Sequence, residues 1–109
     1  MNNNIQSYSH FWEVIGTEPA VLVYFSHDQC SVCKVLKPKV VAMLADQFPE
    51  MVMYYCNTVE QSETAAQNSI FSVPTVLVFF DGRETFRYSR NISLDELKTA
   101  ISRPYNLMF

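Results

Sequence analysis

The run Val21-Leu22-Val23-Tyr24-Phe25 is continuous, β-branched and aromatic, and a few polar residues later Cys30-Ser31-Val32-Cys33 opens a helically spaced stretch. Five such residues read as a strand buried on both faces, in the middle of a sheet rather than at its rim. Beyond the cysteines, Leu36, Val40, Met43 and Leu44 recur with helical spacing up to about Phe48, where Pro49 ends the pattern. An inner strand therefore runs through a short loop into a long helix that starts at a pair of thiols. Pro38 falls inside that helix, removes one backbone hydrogen bond and predicts a kink.

On either side of this unit, helical and strand periodicities alternate, the pattern of an α/β chain. Tyr8, Phe11, Trp12 and Ile15 stand at i, i+3, i+4 and i+7, which predicts a first helix from Ser7 or Ser9 that stops before Gly16 and Pro19, with the aromatic stripe in the core. Met51 to Cys56 reads as a second strand and Thr58 to about Asn68 as a polar, alanine-containing helix. Val76–Phe80 and Glu84–Tyr88, joined by Asp81-Gly82-Arg83, form a hairpin, because glycine supplies the positive φ such a turn requires. Ser93 and Glu96 then make a capping box, with Ile92 and Leu97 as staple positions and Leu94, Leu97 and Ile101 facing inward. Pro104 is expected to end this last helix, leaving Tyr105–Phe109 as an apolar tail that either folds back on the domain or meets a partner. The adjacent aromatics Tyr54, Tyr55, Phe79 and Phe80 should alternate between the two faces of the sheet and fill both core layers.

No repeat or linker divides the 109 residues, a length that suits one domain, residues 1–109. About half of them are apolar and a sixth charged, as packed globular domains require. The net charge of −3 includes no basic cluster to track phosphates, so no nucleic-acid partner is expected. The longest apolar run is short, and Pro74 interrupts the stretch from Ile70 to Phe80, which falls well short of the roughly 20 residues of a membrane-spanning helix. Met1-Asn2-Asn3-Asn4 carries neither the charge nor the apolar stretch of a secretory signal, which predicts a cytoplasmic protein. Three cysteines cannot all pair in one chain, and an apolar domain of this size does not need them as staples. Their spacing points to chemistry.

The first turn of a helix presents unpaired N–H groups and the positive end of its dipole, so a thiolate at Cys30 is favoured there. Cys33, three residues on, shares a helix face with Cys30 and lies within reach of a mixed disulfide formed on it. Cys30 is thus the candidate nucleophile and Cys33 the candidate resolving thiol.

Together, the strand Val21–Phe25, the motif Cys30-Ser31-Val32-Cys33-Lys34, the helix proline Pro38, the segment Val73-Pro74-Thr75 and the turn Asp81-Gly82 resemble the thioredoxin family, in register from about Pro19 to Ile101. The resemblance implies a thioredoxin fold, a mixed four- to five-stranded sheet flanked by helices, with both thiols and Pro74 at one exposed edge. It further implies a cis Val73-Pro74 bond, docking of substrate on the backbone of Val73, a redox-active Cys30–Cys33 disulfide and exchange with protein disulfides. A thioredoxin-reductase-type electron donor, no bound cofactor and a monomeric state complete the expectation.

Around the thiols the chain departs from the family. Gln29 replaces the tryptophan before the motif, Ser31-Val32 replaces Gly-Pro, Tyr24 aligns with the buried acid and Ser26 stands for a further tryptophan. These departures keep a second reading open, a thioredoxin-fold adaptor whose cysteines sense redox state or are vestigial. A third is a metal site built on His27, Cys30 and Cys33, although a structural zinc needs four ligands. Otherwise His27 is a solvated loop residue, Lys34 a solvated lysine on the first helical turn, and Cys56 a small buried hydrophobe.

Overall fold

A computed structural model describes residues 3–109; Met1 and Asn2, on which part of the leader-peptide reading rests, lie outside the described residues. The element order is α1 (Tyr8–Thr17), β1 (Ala20–Ser26), α2 (Ser31–Gln47), β2 (Val52–Asn57), α3 (Ser62–Gln67), β3 (Thr75–Phe80), β4 (Arg83–Ser89) and α4 (Leu94–Met108). The four strands form one mixed sheet in the order β2-β1-β3-β4. β1 runs parallel to β2 and antiparallel to β3, and β3 runs antiparallel to β4. Asn4 adds a single parallel bridge to Tyr55 outside β2.

Every residue of β1 is buried, as its unbroken apolar run requires. The period-two alternation of the strands divides the core into two layers. Leu22, Tyr24, Val76 and Val78 pack with Cys33, Val40 and Leu44 of α2 and Leu97 and Ile101 of α4. On the other face Val21, Val23, Phe25 and Leu77 pack with Phe11 and Ile15 of α1, Ala65 of α3 and Cys56. Each fully buried Val, Leu, Ile or Phe contributes about 1.5–3 kcal/mol relative to exposure. Tyr55 and Phe80 join the first layer, Tyr54 and Phe79 the second, so the neighbouring aromatics divide between the faces as their alternation predicts.

The local signals hold with five corrections, the last of them at the β3–β4 hairpin. Ser7 caps α1 by accepting the His10 amide, but the helix passes through Gly16 to Thr17. Its end is set instead at Glu18, because the residue before Pro19 is pushed out of the helical region. Trp12 lies on the margin of the buried stripe and is 49 % exposed, while Val14 takes the inward place beside Phe11 and Ile15. α3 starts at Ser62 rather than Thr58, since the Asn57 side chain accepts the amides of Val59 and Glu60 and holds that segment in a turn. Most consequentially, α4 continues through Pro104 to Met108, so residues 104–109 are no free tail. Proline costs the helix the bond to the Ala100 carbonyl, but Tyr105 is buried against Phe48 and its hydroxyl accepts the Glu50 amide at 2.9 Å.

At the β3–β4 hairpin Arg83 belongs to β4, paired with Phe80. The turn is therefore the two residues Asp81 (φ 56°) and Gly82 (φ 79°), both left-handed, as a tight hairpin demands. Ser93 caps α4 by accepting the Glu96 amide at 3.2 Å.

Candidate thiol–disulfide site

β1 delivers the chain to the edge of the sheet, and the loop from His27 to Gln29 turns it into α2. Cys30 is the N-cap of that helix: its backbone is extended (φ −96°, ψ 100°) and its Sγ accepts the Cys33 amide at 3.2 Å. The Cys30 amide in turn donates to the His27 carbonyl at 3.2 Å. Cys30 and Cys33 are joined as a disulfide, with their Cα atoms 5.3 Å apart. Cys30 is half-buried, whereas Cys33 is 2 % exposed. Cys30 is therefore the more exposed residue of the pair.

The peptide bond between Val73 and Pro74 is cis. A shallow depression of about 330 Å³ joins this bond to the disulfide, lined by Gln29, Cys30, Ser31, Val32, Val73, Pro74, Arg90 and Asn91. Sequence reading placed Cys30, Cys33, Val73 and Pro74, and the fold brings all four together. It missed Arg90, a left-handed residue (φ 64°) whose amide donates to the Pro74 carbonyl at 2.8 Å. Nothing in the local sequence marks an arginine for that conformation. Also missed was Phe71, 89 % exposed, beside Val73 and His27 on a neighbouring concavity; it lies within the apolar stretch Ile70 to Phe80, and nothing local marks it as exposed.

The four substitutions around the thiols each have a structural place. Gln29 and Ser31-Val32 line the depression, and Val32 exposes 60 % of its surface. Ser26, buried, donates to the Tyr55 hydroxyl at 3.1 Å. Tyr24 is fully buried, and its hydroxyl donates to the Cys33 carbonyl at 2.8 Å. Desolvation first, and the neighbouring Tyr55 second, push the Tyr24 phenol up to about 12.

His27 accepts the Gln29 amide on Nδ1 at 3.2 Å, and Lys34 is exposed. Among the described residues no three His, Cys, Asp or Glu side chains are grouped to hold a metal ion. Cys56 is buried and unpaired, and desolvation pushes its thiol up to about 12, so it packs as a small hydrophobe. No helix among the described residues is long and apolar enough to cross a membrane.

The model of the family described as Thioredoxin matches residues 3–103. The chain belongs to the thioredoxin family. It is 34 % identical to the thioredoxin-like protein YdfQ of Bacillus subtilis over 85 residues, which are 78 % of this chain and 75 % of that protein. Thioredoxin-1 of Saccharomyces cerevisiae is 27 % identical over 84 residues, 77 % of this chain and 81 % of that one. In structure the chain matches Fasciola hepatica thioredoxin with a TM-score of 0.82 at 25 % identity, covering 94 % of this chain and 98 % of that one.

As a thioredoxin with its Cys30–Cys33 pair in place, the chain is a thiol–disulfide oxidoreductase acting on protein disulfides. Its sheet, flanking helices and hairpin are those of the thioredoxin fold.

Proposed function

We propose that Cys30 is the attacking thiol, Cys33 the resolving thiol, and the backbone at Val73-Pro74 the rail on which substrate docks. The observation that carries this assignment is the asymmetry of the pair: Cys30 caps a helix and lines the depression half-buried, while Cys33 is enclosed. In the first step the Cys30 thiolate attacks one sulfur of a substrate disulfide, forming a mixed disulfide and releasing the other sulfur as a thiolate. In the second, the Cys33 thiolate attacks Sγ of Cys30, forming the Cys30–Cys33 disulfide and releasing the remaining substrate thiolate. Two electrons pass to the substrate, and its thiolates take up protons from water.

An extended substrate strand pairs with the Val73 backbone, and Val32 and Phe71 offer apolar contact on either side. A thioredoxin-reductase-type donor returns two electrons to the pair, so that the monomer cycles as an electron carrier in the thiol homeostasis of the cytoplasm.

A Cys33→Ser variant exposed to a cell extract should accumulate mixed disulfides through Cys30, and a Cys30→Ser variant none. Equal trapping by both variants would overturn the assignment of roles. The adaptor reading makes a different prediction, that the double variant Cys30→Ser, Cys33→Ser keeps its partners at unchanged affinity.

A further inference from the structure

Beneath the disulfide, Tyr24 projects from the central strand into the core layer that also holds Cys33, Val40 and Leu44. Its hydroxyl donates to the backbone carbonyl of Cys33 at 2.8 Å. On its other side, the same residue's amide donates to Sγ of Cys30. The backbone of Cys33 is therefore held from both ends, but the two holds differ in kind. The amide contact ends on a sulfur that changes partner during exchange. The Tyr24 bond involves neither sulfur and joins the helix to the most deeply buried strand of the sheet.

We infer that Tyr24 is a positioning residue for the second half of the reaction: its hydroxyl keeps the Cys33 backbone in place while Cys30 is bonded to substrate. This inference rests on the reading of Cys33 as the resolving thiol. In the mixed disulfide the Cys30–Cys33 bond is absent, and Cys33 is held by its packing in the core layer, by the helix's own bonds and by this one hydrogen bond from β1. Resolution is a displacement at sulfur, in which the Cys33 thiolate must approach Cys30 Sγ on the side away from the leaving thiolate. Holding the peptide that carries the attacking thiol limits the orientations it must search.

The hydroxyl is suited to this because it is a neutral donor whose burial has raised it to about 12, so it keeps its proton at neutral pH. A buried carboxylate at the same position would gain or lose a charge and add its own ionisation to the step. Tyr24 holds Cys33 without entering proton transfer.

The test is a single-turnover reaction of the reduced protein with the aromatic disulfide 5,5′-dithiobis(2-nitrobenzoate), which releases one coloured thiolate when Cys30 attacks and a second when Cys33 resolves. The variant Tyr24→Phe keeps the ring and its packing and deletes only the donor. It should slow the second release about tenfold, the worth of one buried hydrogen bond, and leave the first unchanged, since the hydroxyl touches neither sulfur. The pH profile of the second release should keep its midpoint and lose plateau height. A second release at native rate, or both releases slowed alike, would overturn the positioning role. Release of only one thiolate by the native protein would instead overturn the assignment of Cys33 as resolving thiol, which separates the two failures. If Tyr24→Phe does not fold, the native protein still decides: the Tyr24 hydroxyl proton should be slowly exchanging by NMR in both oxidised and reduced forms. Its loss on reduction would show that the hold depends on the disulfide and would refute the proposal.

Discussion

The amide of Cys33 donates to Sγ of Cys30 across 3.2 Å, so the sulfur closes the first turn of α2 as a serine or aspartate oxygen closes other helices. Negative charge on that sulfur faces the positive end of the helix. With limiting iodoacetamide at neutral pH, the reduced protein should be alkylated at Cys30 at least about tenfold faster than at Cys33, as thiolate character and access together dictate. Cys56 should be modified only after unfolding. Peptide mapping by mass spectrometry reads all three, and preferential labelling of Cys33 would contradict the assignment.

Two buried groups make the fold sensitive to alkali. The Cys56 thiol and the Tyr24 phenol are each pushed up to about 12 by burial, from about 8.5 and about 10 in the unfolded chain. Between those values the folded state binds more protons than the unfolded one, so stability is full below the unfolded pKa and falls as pH rises toward the folded value. Urea midpoints of the oxidised protein should decline from about pH 8.5 upward. In Cys56→Ala the decline should begin near pH 10, where Tyr24 takes over. An unchanged onset in the variant would remove Cys56 as the cause.

Tyr105 makes the end of α4 part of the core. Tyr105→Ala should cost about 3–5 kcal/mol, the usual loss for a large buried aromatic. Tyr105→Phe should cost about 1 kcal/mol, because the Glu50 amide then loses its acceptor. Neither change should alter the rate at which Cys30 reacts in folded protein. Chemical denaturation together with the alkylation rate tests both statements.

Gly82 sits at φ 79°, and a Cβ there would make an ordinary van der Waals contact with the Ile15 carbonyl oxygen at 3.8 Å. Gly82→Ala should therefore lose only the conformational cost of a left-handed alanine, about 1 kcal/mol. A loss several times larger in thermal or urea denaturation would mean that the turn changes type.

Much of the site could be read from the order of residues. Val21–Phe25 had to be an inner strand because no solvent-facing alternation interrupts it, and Cys30 had to open a helix because apolar residues with helical spacing begin just after it. The Val73-Pro74 segment was legible through resemblance, since a proline just ahead of a strand does not by itself disclose which isomer it takes. Arg90 was not legible at all: its left-handed backbone and its amide's bond to the Pro74 carbonyl bring together residues far apart in the chain.

What the sequence determined by itself is what arises within a few residues: the 3.6-residue and two-residue repeats, the Ser7 and Ser93 caps, the Asp81-Gly82 turn and the spacing of the two thiols. Tertiary structure alone decided which distant groups meet. The Tyr24 hydroxyl finds the Cys33 carbonyl, and Tyr105 finds Phe48 and Glu50 and carries α4 past Pro104. The physical reason is that a proline or a tyrosine has a fixed local preference, but its cost or gain depends on partners that arrive only when sheet and helices pack. Burial against those partners outweighs the single backbone bond that Pro104 removes.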